Sequence, residues 1–230
     1  MTEPCVDPVD GFVAADVRAE FPGLRLQYVT VVQRRRPSPP SLVARLRDLS
    51  NRYRGADVVA MRTKSVPHAF RAFFRQIGLD PDVRRIPSEE AAVSRLLHGG
   101  FRSADLISDA CLVALIETGV PVWALDADLV DAAGLGIRTT AGPAPGARGD
   151  NPGPARGGLV VADPAPAPGS LVVADGSTVH AELFADPVPG HGVGARTRRV
   201  MLFSVAVDGV PAIHMDEALW CALEALGAGA

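Results

Sequence analysis

The stretch LISDACLVALIETGVPVWALDADL, residues 106–129, contains the transition that decides the fold. Its first half is almost entirely apolar and ends at a glycine, which predicts a buried helix over Leu106–Thr118 that terminates at Gly119. Its second half is rich in β-branched residues and ends in two aspartates, which predicts a strand over Val120–Leu125. Helical patterns dominate the sequence before Gly119 and strand patterns dominate after it.

Upstream of this stretch, the sequence alternates between strand and helix signals. Residues 21–32 alternate apolar and polar side chains, as a half-buried strand does. Pro37–Pro40 then opens a helix whose leucines recur at helical spacing and whose arginines lie on the opposite face. A short Val-rich strand is expected at Asp57–Met61, and a Phe-rich helix at Pro67–Ile77.

Downstream of Gly119, short strand patterns are separated by Gly, Pro or Asp. The predicted strands are Leu135–Thr139, Leu159–Ala162, Leu171–Ala174, Val179–Phe184 and Arg199–Val207. Residues 141–158 include ten Gly or Pro residues out of eighteen, which predicts a mobile loop. The sequence LVVAD occurs at 159–163 and again at 171–175, and only one of these copies needs to be a strand.

These patterns predict an α+β fold. A chain of 230 residues, of which 47% are hydrophobic, is long enough to bury a substantial core. We expect a single domain over residues 1–230. It comprises an N-terminal strand region at 1–30, a basic helical segment at 31–65, a core, and a C-terminal amphipathic helix within 208–230.

Several classes of protein are disfavoured by the composition. The longest unbroken apolar run, Ala110–Ile116, is far shorter than the roughly 20 residues that a bilayer span requires. The N-terminal residues 1–4 lack the layout of a secretory signal, so we expect a cytoplasmic protein without membrane partners. Three widely spaced cysteines match neither a disulfide framework nor a zinc site.

The net charge of −3 conceals a segregation of charge along the chain. Residues 31–75 contain eleven basic and two acidic side chains, whereas the segments on both sides are acidic. Such a segment can bind phosphate groups, although an exposed helix face often shows the same pattern. The candidate RNA-binding residues are Arg34, Arg35, Arg36, Arg45 and Arg52.

Common catalytic motifs are absent from the sequence. We find no nucleophile elbow, Walker loop, zincin helix or dinucleotide fingerprint, so no cofactor is implied. The five histidines are scattered without the spacing of a metal pair, and we predict no metal site. Asp109 stands out because a carboxylate on a mostly apolar helix needs a partner or a pocket.

The quoted stretch nevertheless resembles a known family in several places. GVPVWALDADL at 119–129 resembles a segment of the B3/B4 domain of the bacterial phenylalanyl-tRNA synthetase beta subunit. Further similar segments follow in the family's order, namely PSEEA at 87–91, RLL at 95–97, IR at 137–138, LVVADG at 171–176 and TRRVMLF at 197–203. The resemblance extends over about residues 66–207 and also includes an aspartate at the position of Asp109.

This resemblance implies a domain in which mixed β-sheets pack against helices around a pocket. In the family's editing domain, this pocket binds the aminoacyl end of tRNA and hydrolyses the aminoacyl ester. The implied pocket residues are Asp109, Pro121, Trp123, Asp126, Asp128, Asp175 and His191. Three polar positions of the family differ here: Trp123 replaces a histidine, Leu112 replaces an asparagine, and a glutamate is missing near His191. Editing hydrolysis is therefore predicted to be weak or absent, with His191 as the candidate base.

Two functions of different classes are compatible with these observations. The first is a freestanding B3/B4-type protein that binds tRNA or an aminoacyl-tRNA end, which the basic segment favours. The second is a non-catalytic pocket protein for an amino-acid-like metabolite or a protein partner, which the overall acidity favours. The oligomeric state and the identity of any tRNA do not follow from the sequence.

Overall fold

The computed structural model describes residues 7–53, 55–140, 166–176 and 178–227. The predicted loop at 141–158 and the first LVVAD copy lie outside the described residues. Within them, the chain has an α+β fold, as the patterns predict.

Helices and strands follow one another in an order close to the prediction. The helices are α1 (Ala15–Glu20), α2 (Pro40–Arg52), α3 (Gly55–Met61), α4 (Ser65–Gln76), α5 (Pro87–His98), α6 (Leu106–Thr118) and α7 (Ala212–Gly227). The strands are β1 (Val9–Asp10), β2 (Phe12–Val13), β3 (Arg25–Val32), β4 (Val122–Asp126), β5 (Gly136–Thr139), β6 (Leu171–Ala174), β7 (Val179–Glu182) and β8 (Arg199–Ala206). The helix after Pro39 and α6 were correctly predicted, and the strand predicted at 21–32 is present as β3 but begins four residues later. The elements β1, β2 and α1 were not predicted.

Two four-stranded sheets organise the fold. The first has the order β1-β3-β8-β4 and is antiparallel throughout. The second has the order β2-β5-β6-β7 and is mixed, because β2 pairs with β5 in parallel while the other pairs are antiparallel. Strand β8 is central to the first sheet and is buried from Val200 onward, which makes it the middle of the core.

Helix α6 packs against α2, α5, α7 and β4, and its ends are defined by local signals. The Asp105 carboxylate caps its N-terminus by accepting hydrogen bonds from the backbone N–H groups of Ile107 and Ser108. Gly119 ends the helix in the left-handed region at φ 78°, where a side chain would be strained. The core that includes α6 extends from Val13 near one end of the chain to Leu226 near the other.

The predicted strand at Asp57–Met61 is wrong, because these residues belong to helix α3. Val59 is 73% exposed there, and Met61 is the only one of these five residues that is buried. A strand must pair with another strand to satisfy its backbone, and α3 packs against α5 instead. Valine content alone therefore misidentified this segment.

No helix in the described part of the chain is long and apolar enough to cross a membrane.

Candidate functional site

An open cleft of about 830 Å³ lies between α5, α6, β4 and the segment that follows β7. Its lining combines apolar and polar side chains, which suits a small amphipathic ligand. The larger apolar lining residues are Ile107, Leu112, Leu115, Val122, Trp123, Phe184 and Val193. The polar lining residues include Arg35, Arg85, Glu90, Ser94, Asp105, Ser108 and Asp186.

Trp123 provides the aromatic wall of the cleft. It lies on β4 opposite Phe203 of β8, and the two rings stack with centroids 5.4 Å apart at 18°. Phe184 contacts the same indole, with ring centroids 6.0 Å apart. The indole is therefore held in place by two aromatic neighbours while it lines the cleft.

Phe184 has an unusual backbone conformation next to the cleft. Its φ is 62°, a value that bulky side chains rarely adopt. The ring is enclosed by the aromatic side chains of α4, with centroids 5.6 Å from Phe70, 5.7 Å from Phe73 and 5.5 Å from Phe74. These contacts offset the backbone strain and fix the position of the second aromatic wall.

Two paired arginines are present among the polar lining residues. The Arg35 guanidinium donates a hydrogen bond of 3.0 Å to the Asp105 carboxylate, which also caps α6. Arg85 lies 3.7 Å from Glu90. Both guanidinium groups remain partly exposed, so they can contact an anionic ligand in addition to their protein partners.

Cys111 also lines the cleft, on the same helix as Leu112. Burial raises the pKa of its thiol to about 12, and the negative charge of Asp105 adds to the shift. The side chain is therefore a neutral thiol at pH 7 and contributes apolar surface rather than a nucleophile.

Asp109 does not line the cleft, although the sequence placed it among the pocket residues. It is 1% exposed and accepts hydrogen bonds from the hydroxyl groups of Ser38 and Ser103 and from the backbone N–H of Ala104. The hydrogen-bonding needs of this buried carboxylate, which the sequence indicated, are therefore met by two neighbouring segments of the protein and not by a ligand pocket. Asp109 ties the segments before α2 and α6 to α6 itself.

Three further predicted pocket residues stabilise β4 and are not part of the cleft lining. The Pro121 carbonyl is buried and accepts a hydrogen bond from the Ser204 hydroxyl. The Asp126 carboxylate accepts one from the Thr197 hydroxyl at 2.6 Å. Asp128 is exposed and forms a salt bridge with Arg199 at 3.1 Å.

Asp175 and His191 are brought together through a third residue, His180, which the sequence did not single out. His180 is fully buried on β7; its Nε2 lies 2.9 Å from the Asp175 carboxylate and its Nδ1 lies 2.9 Å from Nδ1 of His191. Burial lowers the pKa of His191, and the neighbouring His180 lowers it further, while Asp175 partly opposes the shift. A histidine in the middle of a short apolar strand is a signal that could have identified this cluster.

Some of the candidate RNA-binding arginines are engaged within the protein. Arg45 donates two hydrogen bonds to Glu117, at 2.7 and 3.1 Å, and one to Glu224 at 3.2 Å, which joins α2 to α6 and α7. Arg35 is paired with Asp105, whereas Arg34 and Arg52 have exposed side chains. The basic charge available on the surface is therefore smaller than the sequence count indicates.

Among the residues that the structure describes, no group of three or more His, Cys, Asp or Glu side chains is placed to hold a metal ion. No protein-family model matches the chain, and neither does any curated protein.

Proposed function

We propose that the protein binds an aminoacyl group at the 3′ end of tRNA, in the cleft lined by Trp123 and Phe184, and hydrolyses that ester slowly or not at all. The observation that carries the proposal is the pairing of two aromatic walls with a polar lining that contains guanidinium and carboxylate groups. The motif resemblance to the B3/B4 domain supports the same ligand class. Such a protein would act in the cytoplasm, where tRNA is charged.

The chemistry of the lining matches the parts of an aminoacyl ester. An apolar or aromatic amino-acid side chain can pack against Trp123 and Phe184, since aromatic contacts favour offset or tilted rings. The α-ammonium group can pair with a carboxylate such as Asp186. The phosphates of the terminal nucleotides can contact Arg35 and Arg85, which remain partly exposed beside their carboxylate partners.

A free amino-acid-like metabolite is the second candidate. The observation that favours it is the near balance of charge in the lining, where carboxylates accompany the two guanidinium groups. An α-amino acid carries one positive and one negative group and would find partners of both signs. The two functions differ in whether the adenosine and phosphate moieties add affinity.

We expect a saturable change in Trp123 fluorescence when the cleft is filled by a non-hydrolysable phenylalanyl amide of adenosine. The Trp220→Phe background makes Trp123 the only tryptophan, because the sequence has two. Removing one aromatic wall with Phe184→Ala should weaken binding by about tenfold, which corresponds to about 1.4 kcal/mol.

The matched control for this titration is Phe12→Ala, because Phe12 lies on β2 and is 47% exposed. It should bind with unchanged affinity. Binding that does not respond to Phe184→Ala would place the ligand elsewhere and contradict the proposal. Equal affinity for free phenylalanine and for the adenosine conjugate would favour the metabolite-binding function.

Contact with tRNA is expected to depend on the arginine triplet that precedes α2. Replacing Arg34, Arg35 and Arg36 with glutamine should weaken the binding of all tRNAs alike and reduce the salt dependence by roughly one unit per lost phosphate contact. Filter binding at several salt concentrations measures both quantities. Arg18→Gln on α1 is the matched control, since it lies outside the basic segment and should leave the salt slope unchanged. An unaltered slope for the triple variant would show that the triplet makes no phosphate contact with tRNA.

A further inference from the structure

The cleft runs along the outer edge of strand β4. β4 is an outer strand of the first sheet, and β8 is its neighbour on one side. Val122, Trp123 and Ala124 are consecutive on β4, and all three line the cleft. Successive side chains of a strand point to opposite faces of the sheet, so a cleft lined by all three lies beside the edge of the strand and not over one face. The backbone of β4 is therefore part of the cleft wall.

One end of this edge is already covered by the segment that follows β7. The Asp126 N–H donates a hydrogen bond of 2.9 Å to the His191 carbonyl, and an antiparallel bridge joins the adjacent residues Leu125 and Gly192. The chain then turns away, where the Thr197 N–H donates to the Gly194 carbonyl. A short piece of this protein thus extends the sheet beyond β4 at the carboxyl end of the strand and leaves its amino end uncovered.

The backbone groups of Val122 point to the same side as those of Asp126. Backbone N–H and C=O groups alternate in direction along a strand, and Asp126 lies four residues after Val122, so both residues direct these groups away from β8. Beyond the ladder with β8, no described residue forms a hydrogen bond with the N–H or the carbonyl of Val122. Val122 is only 6% exposed, and buried backbone groups almost always have partners. Its N–H and carbonyl therefore offer a donor and an acceptor to a ligand in the cleft.

We propose that the cleft binds a short extended peptide, which joins the first sheet as an additional antiparallel strand beside β4. One peptide residue donates its N–H to the Val122 carbonyl and accepts a hydrogen bond from the Val122 N–H, as paired residues of antiparallel strands do. The antiparallel direction is that of every other strand pair in this sheet. This recognition goes beyond the proposed function, because it uses the β4 backbone in the same cleft and needs neither tRNA nor adenosine.

The aromatic wall determines which peptides fit. Directly opposite residues of neighbouring strands place their side chains on the same face, as Trp123 and Phe203 do. The peptide residue before the one that pairs with Val122 lies opposite Trp123, so an aromatic side chain at that position meets the indole and Phe184. Basic and acidic side chains are nearly balanced in the lining, which suits a peptide without net charge. A volume of about 830 Å³ leaves room for more than one residue.

The proposal is tested with the uncharged peptide acetyl-Phe-Ala-Ala-amide, which is titrated into the Trp220→Phe protein while Trp123 fluorescence is recorded. We expect a saturable change. The three amide nitrogens inside the peptide are then methylated one at a time, which removes one N–H in each analogue. Methylation of the first alanine should weaken binding by about tenfold or more, because it leaves the Val122 carbonyl unpaired. Methylation of the phenylalanine or of the second alanine should have a smaller effect, since those N–H groups point away from β4.

A proline at position 122 tests the same contact from the side of the protein. Val122→Pro removes the outward N–H and keeps the ladder with β8, because proline is tolerated where the N–H of an edge strand points outward. It should weaken binding of the unmethylated peptide by about tenfold. Asp10→Pro is the matched control on β1, at the opposite edge of the sheet; its N–H also points outward, since the next residue, Gly11, donates to Leu26 of β3. This control should bind with unchanged affinity.

Circular dichroism verifies that both proline variants are folded, and the methylated peptides decide the question if Val122→Pro does not fold. The absence of a saturable change with the peptide, equal affinities for the three methylated analogues, or unchanged binding by a folded Val122→Pro variant would each overturn the proposal. The phenylalanyl amide of adenosine separates this result from the proposed function. If this amide binds and the peptide does not, strand addition is wrong and aminoacyl binding stands, whereas the reverse result supports strand addition alone.

Discussion

Replacing Arg71 with methionine is expected to destabilise the protein by about 3–5 kcal/mol. Arg71 on α4 and Glu89 on α5 form an ion pair in which both side chains are almost fully buried, with nitrogen–oxygen distances of 2.9 and 3.0 Å. Methionine preserves much of the volume but leaves the Glu89 carboxylate buried without its main partner. The remaining contact, from the half-exposed Arg62 at 3.6 Å, is too long for a hydrogen bond.

Urea denaturation followed by circular dichroism measures this loss. Arg75→Met is the matched control, because Arg75 is on the same helix and is exposed, and it should change the free energy of unfolding by less than about 0.5 kcal/mol. The double variant Arg71→Met with Glu89→Leu should recover most of the loss, because it removes both buried charges. A loss of less than about 1 kcal/mol in Arg71→Met would show that the buried pair does not couple α4 to α5.

Replacing Phe203 with alanine is expected to cost about 3–5 kcal/mol and also to disturb the cleft. Phe203 is 1% exposed in the middle of β8, and its ring stacks on Trp123. The substitution leaves a cavity beside the indole, so Trp123 loses one of the two aromatic contacts that hold it in place beside the cleft. We therefore expect lower stability together with a changed tryptophan emission in the native state.

Chemical denaturation of Phe203→Ala in the Trp220→Phe background measures both effects. Phe203→Leu, which fills more of the cavity, should lose less stability than the alanine variant. The exposed Phe12→Ala variant serves again as the control for truncation of an aromatic ring. Full stability of Phe203→Ala with an unchanged emission spectrum would contradict the role assigned to this stacked pair.

Much of the local structure could be predicted from short stretches of sequence. The bounds of α6 and β6 were predicted correctly because Gly119 and the residues around Leu171–Ala174 carry strong local signals. The strand predicted at Asp57–Met61 failed because a strand depends on a neighbouring strand, which a local pattern does not reveal. The two-residue strands β1 and β2 were not predicted because they are too short for an alternating pattern.

The candidate site was predicted only in part. Trp123 was expected to line a pocket because of its position in the motif resemblance, and in the structure it lines the cleft. Asp109 was expected there as well, but Ser38, Ser103 and Ala104 satisfy its carboxylate, and the first of these is 71 residues away. The second aromatic wall, Phe184, was not predicted because its position depends on packing against α4.

By itself, the sequence determined the α+β class and most helix and strand positions. These follow from the spacing of hydrophobic residues, from helix caps and from glycines, all of which act over a few residues. Only the tertiary structure decided which distant side chains meet. His180 joins Asp175 to His191, and Arg71 meets Glu89, through the packing of separate strands and helices. Arg45, which the charge pattern assigned to RNA, is drawn to Glu117 and Glu224 because three helices converge there. These contacts depend on the chain's long-range path, which local periodicity does not encode.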